Sequence, residues 1–423
     1  MASKQEVQQE ILKFSEALVT AQKPIRLLNA VRIAGETFEK YKQNGFSAIG
    51  PFTPEFYEQN QIKFDTAQKK QEFLDILNAA QKSKRIFPEL LNVFSSIVDS
   101  YLLALDMIEL RGTKKFGEVS KSAYGEPNFI LEGASKTLFE FSSELMLSIN
   151  SSDPDDVRSH SSTVRTVLKN ELTAQEMTEE LFRRLNPYFN GEIKVVLSDG
   201  IISDAAAGGD QIKIRQEAMF NPSDVEVFEV HEGWVHVGTT LNGRLQPHCK
   251  WLSVGPPRSA CTQEGLAVMM EVIEFRSTQK RMNKIHNRMQ TIKFALDGAN
   301  FDEVYRWNIG QGIDELESFK NTVRVFRGTT GAGGGAFTKD ISYVRGLIEN
   351  YNFLIESADE TDKWNSVWLL FSGKVAIADM PAIKLLFEEG ILETPKYVPK
   401  VFKDSGHLKQ WLDKSSYLAK IKI

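Results

Sequence analysis

The sequence predicts a mainly helical α+β protein, and three observations support this fold class. The chain has 423 residues, 42% of them apolar, which is enough to bury a core without disulfide or metal cross-links. In the N-terminal third, apolar residues such as Ile11, Phe14 and Leu18 recur at helical spacing. Segments 192–197 and 211–215 are β-branched or alternating and are typical of strands.

Composition and charge argue against several classes of function. The formal net charge is −5, whereas nucleic-acid-binding domains usually carry a basic face. The N-terminus is polar and lacks the apolar stretch of a secretory signal. The most apolar long segment, residues 86–110, contains four acidic residues, which suits a membrane span poorly. We therefore expect a cytoplasmic protein that binds neither nucleic acid nor membrane, with Cys249 and Cys261 as reduced thiols.

Turn signals divide the chain. Gly50-Pro51 interrupts the first helical block, and further helices are predicted near residues 73–77 and over 88–110. A polar turn cluster at 151–156 indicates a boundary, so we predict a helical N-terminal region over 1–160 and a second region over 161–423.

The second region is predicted to combine helices with the two strands. A helix follows residue 163 and ends near Pro187. Ser223 and Glu226 have the spacing of a capping box, so we begin a helix near Asp224 and end it at Gly243. Another helix is predicted over 262–289, and the glycine-rich residues 328–335 are predicted to form a flexible loop.

Two of the six histidines, His231 and His236, lie close together, with Glu232 beside the first. In the familiar zinc-peptidase pattern the two histidines are four residues apart on a helix. Five residues rotate the second side chain by about 140° from the first, against about 40° for four residues. An inserted-residue π-type turn would return both to one face, so we predict such a distortion here. Without it, these are two ordinary histidines of a surface helix.

A site with two histidines needs a third ligand, often a glutamate on a separate helix. Glu264 is 28 residues after His236, at the start of the predicted helix 262–289. The alternative is a glutamate that only interacts with the helix dipole.

Residues 263–267, Gln-Glu-Gly-Leu-Ala, match the motif that names the QEGLA-motif proteins. The His-Glu-x-x-x-His segment, Asn242-Gly243, Arg327-Gly328 and residues 337–340 (Phe-Thr-Lys-Asp) also match. From about residue 170 onward the chain therefore resembles this family, once described as modulators of flavohaemoglobin expression, which includes the microtubule-associated tyrosine carboxypeptidases. The Glu-Gly-Leu-Ala segment is also similar to the third-ligand segment of gluzincin aminopeptidases.

The resemblance implies a gluzincin-like zinc metallopeptidase domain over 161–423. It implies that His231, His236 and Glu264 bind Zn²⁺ and that Glu232 is the general base. Zinc lowers the pKa of a bound water to about 7, and a glutamate beside a ligand can accept its proton. The implied reaction removes a C-terminal residue, with tyrosine or another aromatic residue as the expected one, from a peptide or protein. Tubulin specificity is not carried over, because the chain lacks a long basic tract.

A carboxypeptidase also needs a cation for the substrate's terminal carboxylate and a donor for the oxyanion. We nominate Arg324, Arg327 and Lys339 for the carboxylate and Tyr343 for the oxyanion. Each could instead be a solvated or structural side chain.

Two further residue groups are predicted to support the site. Glu271 is seven residues after Glu264, on the same helix face, and would orient one of the metal-binding side chains through a hydrogen bond. The strand with Lys213 and Arg215 would be the edge on which an extended peptide adds, or else part of a plain hairpin.

The leading hypothesis is a zinc-dependent carboxypeptidase. The alternative is a metal-dependent hydrolase of a non-peptide amide or ester, or a regulatory binding protein on the same fold. Glu232 favours an enzyme, because a binding protein has no need of a base beside a metal ligand.

Overall fold

The structure is a computed structural model that describes residues 3–35, 37–47, 50–151, 172–201, 203–414 and 418–423. The predicted turn cluster, and with it the boundary at 160, lies almost wholly outside these residues. The division into regions 1–160 and 161–423 therefore stays a prediction.

The N-terminal region is helical, as predicted. Its helices are α1 (Lys4–Gln22), α2 (Leu27–Ala30), α3 (Phe38–Gln43), α4 (Pro54–Glu58), α5 (Thr66–Lys82), α6 (Pro88–Glu109), α7 (Lys115–Tyr124) and α8 (Leu138–Ser151).

The following part mixes short strands with helices. The strands are β1 (Leu172–Thr173), β2 (Lys194–Ser198), β3 (Ala205–Gly208), β4 (Gln211–Arg215) and β5 (Met219–Phe220). The helices are α9 (Ala174–Phe189), α10 (Pro222–Phe228), α11 (Gly238–Leu245), α12 (Ala260–Ile273), α13 (Gln279–Leu296), α14 (Phe301–Gly310), α15 (Glu315–Phe326), α16 (Ile341–Ala358), α17 (Thr361–Trp364), α18 (Met380–Glu388), α19 (Lys400–Lys403) and α20 (Ser405–Lys414). Between α10 and α11 the chain forms a π-helix, Glu229–Val237. Single 3₁₀ turns cover Lys250–Ser253, Pro257–Ser259, Thr338–Asp340, Val367–Phe371, Ile377–Asp379 and Leu418–Ile421.

Two predicted helix boundaries were wrong. The cap of α10 is Asn221, whose side chain accepts from the Asp224 backbone, rather than Ser223. Pro222 then occupies the first turn, where its missing N–H costs nothing. The predicted helix 262–289 is two helices, α12 and α13, because Phe275 adopts a positive φ of 55° and Thr278 caps the second one.

Helix α6 is both long and apolar. Among the described residues it alone has the length and composition to cross a membrane, and more than half of its apolar window is buried. Its buried residues include Phe94, whose ring meets Trp251 edge-on at 5.3 Å. The helix therefore packs as the core helix of a globular fold does.

The main sheet has three strands in the order β2-β4-β3. Strand β4 pairs in parallel with β2 and antiparallel with β3. The strand that carries Lys213 and Arg215 is therefore central, and the prediction that it forms the peptide-binding edge was wrong. The edges are β2 and β3, and β3, with its three alanines, was missed because it lacks the large β-branched residues of a strand.

One hydrophobic core joins both parts of the chain. Ile11, Phe14 and Leu90 of the N-terminal helices belong to the same buried cluster as Leu266 of α12 and Val344 of α16. A smaller core lies between the sheet and α9 and includes Val237 at the end of the π-helix. The N-terminal helices therefore contribute to the packing that supports the candidate site.

The glycine-rich residues 328–335 form the predicted loop, and its first three residues are bound by the N-terminal region. The Tyr57 hydroxyl donates to Thr329 O over 3.0 Å and accepts from Gly328 N over 2.8 Å. Phe52 N donates to Thr330 O over 2.9 Å. A Cβ on Gly328 would lie 2.2 Å from the Phe116 ring, so glycine permits this close packing. The loop is a packed junction between the N-terminal helices and the rest of the chain.

Candidate metal centre

The π-helix Glu229–Val237 confirms the predicted distortion. A π-helix has about one residue more per turn than an α-helix, so side chains five residues apart return to the same face. The rings of His231 and His236 accordingly lie 4.9 Å apart, nearly perpendicular to each other.

Helix α12 brings Glu264 to the two histidines. It crosses α16 with the backbones in contact, and a Cβ on Gly265 would lie 2.0 Å from the carbonyl carbon of Gly346. Only glycine allows so close an approach. The glycine of the Gln-Glu-Gly-Leu-Ala segment therefore places Glu264 opposite the histidines and next to the residues that lead into α16.

The three side chains converge on one point. Glu264 Oε2 lies 3.6 Å from Nε2 of His231 and 3.6 Å from Nε2 of His236. Ligand atoms at about 2.0–2.2 Å from a tetrahedral zinc ion lie about 3.4 Å from one another. Glu264 Oε2 is also buried without a hydrogen-bond partner among the described residues. A metal ion bound by all three groups would satisfy this oxygen, so the residues fit a metal site.

His231 has the supporting carboxylate that was predicted. Glu271 Oε1 lies 2.7 Å from His231 Nδ1, which leaves Nε2 facing Glu264. The Arg281 guanidinium in turn binds Glu271 through two bonds, of 2.9 Å and 3.0 Å. A series of hydrogen bonds of this kind fixes the orientation of a metal-binding imidazole and the nitrogen that carries its proton.

The electrostatics favour positive charge between these groups. Burial opposes protonation of His231, but Glu264 and Glu271 outweigh it and raise the pKa to about 9. For His236, burial dominates and lowers the pKa. Burial likewise opposes ionisation of Glu264, but Lys339 and the two histidines hold its pKa well below the usual range. The glutamate is thus an anion that can bind a cation.

Glu232 is fixed by the sheet. Ala207 N, on the edge strand β3, donates to Glu232 Oε2 over 2.8 Å. The other oxygen, Oε1, lies 4.0 Å from His231 Nε2. Glu232 therefore lies beside the three converging side chains without being one of them, and it binds the edge strand β3.

Two of the nominated cations have acidic partners within the protein. Lys339 Nζ is 3.2 Å from Glu264 Oε1. Arg324 donates two hydrogen bonds of 2.8 Å to Asp340. The structure brings Lys339 next to the candidate ligand Glu264, whereas it pairs Arg324 with Asp340.

Arg327 differs from these two residues. Its guanidinium lies 4.8 Å from the centre of the Phe337 ring and only 7% of the residue is exposed. Its Nε has no hydrogen-bond partner, and no carboxylate of the described residues is within ion-pair distance. Burial and the nearby Arg324 lower its pKa to about 10.

The sequence analysis missed Arg288. It lies over the Tyr343 ring at 4.9 Å, and its Nε and Nη1 are buried without hydrogen-bond partners in the described part of the chain. Arg281 and Arg288 are seven residues apart on α13 and so share a face. That spacing was a usable signal, but nothing in the sequence places α13 against the site.

Tyr343 lies beside the candidate metal centre. Its ring stacks on that of His231, with centroids 6.4 Å apart. Burial, with a further contribution from Glu264, raises the pKa of its hydroxyl. The group therefore stays protonated at neutral pH and can donate a hydrogen bond.

Lys374 was also missed. It follows the 3₁₀ turn Val367–Phe371, and its Nζ donates to the backbone oxygen of His236 over 2.8 Å. Burial lowers its pKa to about 7. The sequence around it, Ser-Gly-Lys-Val, carries no recognisable site pattern.

The fold and the site define a candidate metal-dependent hydrolase, in which two histidines and a glutamate can hold an ion next to a second glutamate. The family model described as microtubule-associated tyrosine carboxypeptidase matches residues 43–420, and the chain belongs to that family. The match extends through most of the N-terminal helices, well beyond the resemblance seen in the sequence. Membership implies a metallo-carboxypeptidase that acts on protein C-termini.

Other comparisons add little. No curated protein matches the chain. A crystal structure of a lipoprotein from Colwellia psychrerythraea is similar at 12% identity, over 98% of this chain and 77% of that one, with a TM-score of 0.40. A likeness this low carries no argument about function.

Proposed function

We propose that the chain is a zinc-dependent carboxypeptidase that removes the C-terminal residue, an aromatic one such as tyrosine, from a peptide or protein. The family supports the reaction class, and the site supports it through an unpaired buried cation. Arg327 is buried, charged at neutral pH and free of any acidic partner in the described chain. This single observation favours a substrate that brings its own carboxylate.

His231, His236 and Glu264 would hold the zinc ion. Two imidazole nitrogens and one carboxylate oxygen are the ligand set of many catalytic zinc sites, which keep the fourth position open. When bound, zinc supplies a water of lowered pKa and polarises the scissile carbonyl.

Glu232 would serve as the general base. The bond from Ala207 N fixes one carboxylate oxygen, so the other is free to accept a proton beside the ligands. The same oxygen can then pass that proton to the leaving amine. Tyr343 would donate its hydroxyl proton as a hydrogen bond to the oxyanion, since burial keeps it protonated.

The substrate carboxylate would bind between Arg327 and Arg288, which both have N–H groups without a hydrogen-bond partner in the described chain. Arg288 Nε also lies 3.9 Å from Asp340 Oδ2. Lys339 would add a third positive charge, which its ion pair with Glu264 partly neutralises. We assign Arg324 a supporting role, because Asp340 already occupies two of its donors. The residues preceding the scissile bond would lie along the edge strand β3 as an added strand, beyond the Ala207 N–H that Glu232 accepts from.

Mass spectrometry of a mixed peptide library tests this proposal. The zinc-loaded protein is expected to remove single C-terminal residues, whereas Glu232→Gln, which keeps the shape of the side chain, is expected to remove none. Internal cuts would make the protein an endopeptidase. No cleavage by zinc-loaded protein would favour a non-peptide amide or ester as substrate.

A further inference from the structure

A partly buried lysine, Lys374, connects the two helices that carry the proposed metal ligands. Its Nζ donates to the backbone oxygen of His236 over 2.8 Å, and to Gln263 Oε1 over 3.0 Å. His236 belongs to the π-helix, and Gln263 directly precedes Glu264 in α12. One side chain thus touches a residue of each ligand-bearing helix.

The lysine is held in place by its own backbone. Lys374 N donates to Leu252 O over 2.7 Å. A Cβ on the preceding Gly373 would lie 2.5 Å from the same oxygen, so this approach requires glycine. Asn242, which follows the π-helix, fixes the segment further by donating to Phe371 O over 2.7 Å. The ammonium group therefore projects from an anchored segment.

Gln263 is the second member of this junction. Its Oε1 also lies 2.9 Å from the Thr239 hydroxyl, one helical turn beyond His236. Both Gln263 and Thr239 are buried. Removing Gln263 Oε1 would take one acceptor from Lys374 Nζ and one from the Thr239 hydroxyl, which also lies 2.6 Å from Val235 O.

We propose that Lys374, Gln263 and Thr239 form a positioning junction that fixes the distance between His236 and Glu264 and thereby sets the affinity for the metal ion. Neither Lys374 nor Gln263 is a ligand; both act through the helices they join. The inference rests on the metal site of the proposed function, but not on the identity of the substrate.

The π-helix explains why such a junction is needed. Its wide turn brings His231 and His236 together, but π-helices are less stable than α-helices and persist where the surroundings hold them. Metal binding tolerates deviations of only about 0.2 Å in ligand distance. A contact to the backbone oxygen of His236 holds the turn at the ligand itself.

The test is metal affinity, measured by competition between the metal-free protein and a chromophoric zinc chelator. Gln263→Leu is the main variant, because it removes the acceptor without changing charge. Lys374→Met removes the donor with little change in side-chain length. Both are expected to weaken zinc binding about 10- to 100-fold, the usual effect of losing support behind a ligand. Gln263→Glu keeps the acceptor and is expected to retain wild-type affinity or exceed it.

A matched control comes from the same part of the fold. Lys250 Nζ also donates to a backbone oxygen, that of Arg244 at the end of α11, but it lies at the surface. Lys250→Met is expected to leave zinc affinity unchanged. The absorption spectrum of the Co²⁺-substituted protein is a second readout, since its ligand-field bands report the ligand geometry and a purely structural role would leave them unmoved.

Two outcomes would overturn the inference. One is zinc affinity within twofold of wild type in Gln263→Leu, measured where the variant is folded. The other is tighter binding by Lys374→Met together with unchanged binding by Gln263→Leu, which would show that the lysine acts only as a repelling charge. If the wild-type protein itself binds no zinc, the proposed metal site fails, and that result is distinct from both.

Discussion

Arg327→Met is the substitution that separates function from stability most sharply. The arginine is buried and has no acidic partner among the described residues, so its charge serves the fold poorly. Methionine keeps an apolar chain over the Phe337 ring but removes the charge. We expect the variant to gain stability and lose activity at the same time.

The gain in stability follows from the pKa of Arg327, which burial lowers from 12.5 to about 10. Because the folded-state pKa lies below the unfolded value, the charge destabilises the fold at every pH below about 10. The penalty disappears as the pH rises from 10 towards 12.5. A pKa shift of this size corresponds to a destabilisation of about 3 kcal/mol, which the substitution removes. The substitution also removes the contact between the guanidinium and the Phe337 ring, and this loss costs about 1–2 kcal/mol. The net increase in the free energy of unfolding near pH 7 is therefore about 1–2 kcal/mol.

The loss of activity follows from the proposed role. Truncating one partner of a buried, hydrogen-bonded charge pair costs about 2 kcal/mol or more. This corresponds to a fall in kcat/KM of about 30-fold or more on a peptide with a free C-terminal carboxylate. A peptide that ends in an amide lacks the pair, so its slow turnover should change little.

The assay combines urea unfolding with cleavage of such an acid and amide pair of peptides. Arg183→Met is the control, because Arg183 is exposed and its ion pair in the described part of the chain is with Glu180 at the surface. This control substitution should change neither the free energy of unfolding nor the rate of peptide cleavage. The reasoning is refuted if Arg327→Met cleaves the free-acid peptide at the wild-type rate, or if it is destabilised.

Three further substitutions test other parts of the account. Glu271→Gln should weaken zinc binding about 10- to 100-fold in a chelator competition, because it removes the charge behind His231; unchanged affinity would contradict this. Gly265→Ala should lower the free energy of unfolding in urea by about 3 kcal/mol, because its methyl group would meet the Gly346 backbone. Gly310→Ala, in a helix with open space around it, is the matched control and should be neutral or stabilising. For Asp340, burial opposes ionisation, but Arg324 and Arg288 hold its pKa far below the usual 3.8. A carboxylate with a depressed folded-state pKa stabilises the fold above its unfolded pKa, so Asp340→Asn should cost about 3–5 kcal/mol at pH 6. That difference should shrink as the pH falls below 3.8, and a pH-independent difference would show that the charge of Asp340 is not responsible.

The convergence of His231, His236 and Glu264 could be predicted because these residues follow local rules. His231 and His236 are five residues apart, and the angular arithmetic of a helix allows them to meet only across a wider turn. The π-helix confirms that prediction. Glu264 was found because it lies in a segment with a recognisable motif, and Glu271 because seven residues return to the same helix face.

The rest of the site depends on contacts between distant segments. Lys374 lies 111 residues after Gln263 yet bonds to it. The glycine-rich loop looked mobile because its composition is that of a loop, but Tyr57, 271 residues earlier, binds its backbone. Strand β3 was missed because its alanines have low strand propensity, and the pairing with β4 overrides that preference. No local pattern carries this information.

The central claim is that one zinc ion per chain, held by His231, His236 and Glu264, is required for removal of a C-terminal residue. The most direct test titrates a chelator into the purified protein and measures bound zinc and product formation in the same samples. The account predicts that both fall together from one zinc per chain, and that added zinc restores both. Full activity in zinc-free protein, or a preparation that binds no zinc at all, would contradict it.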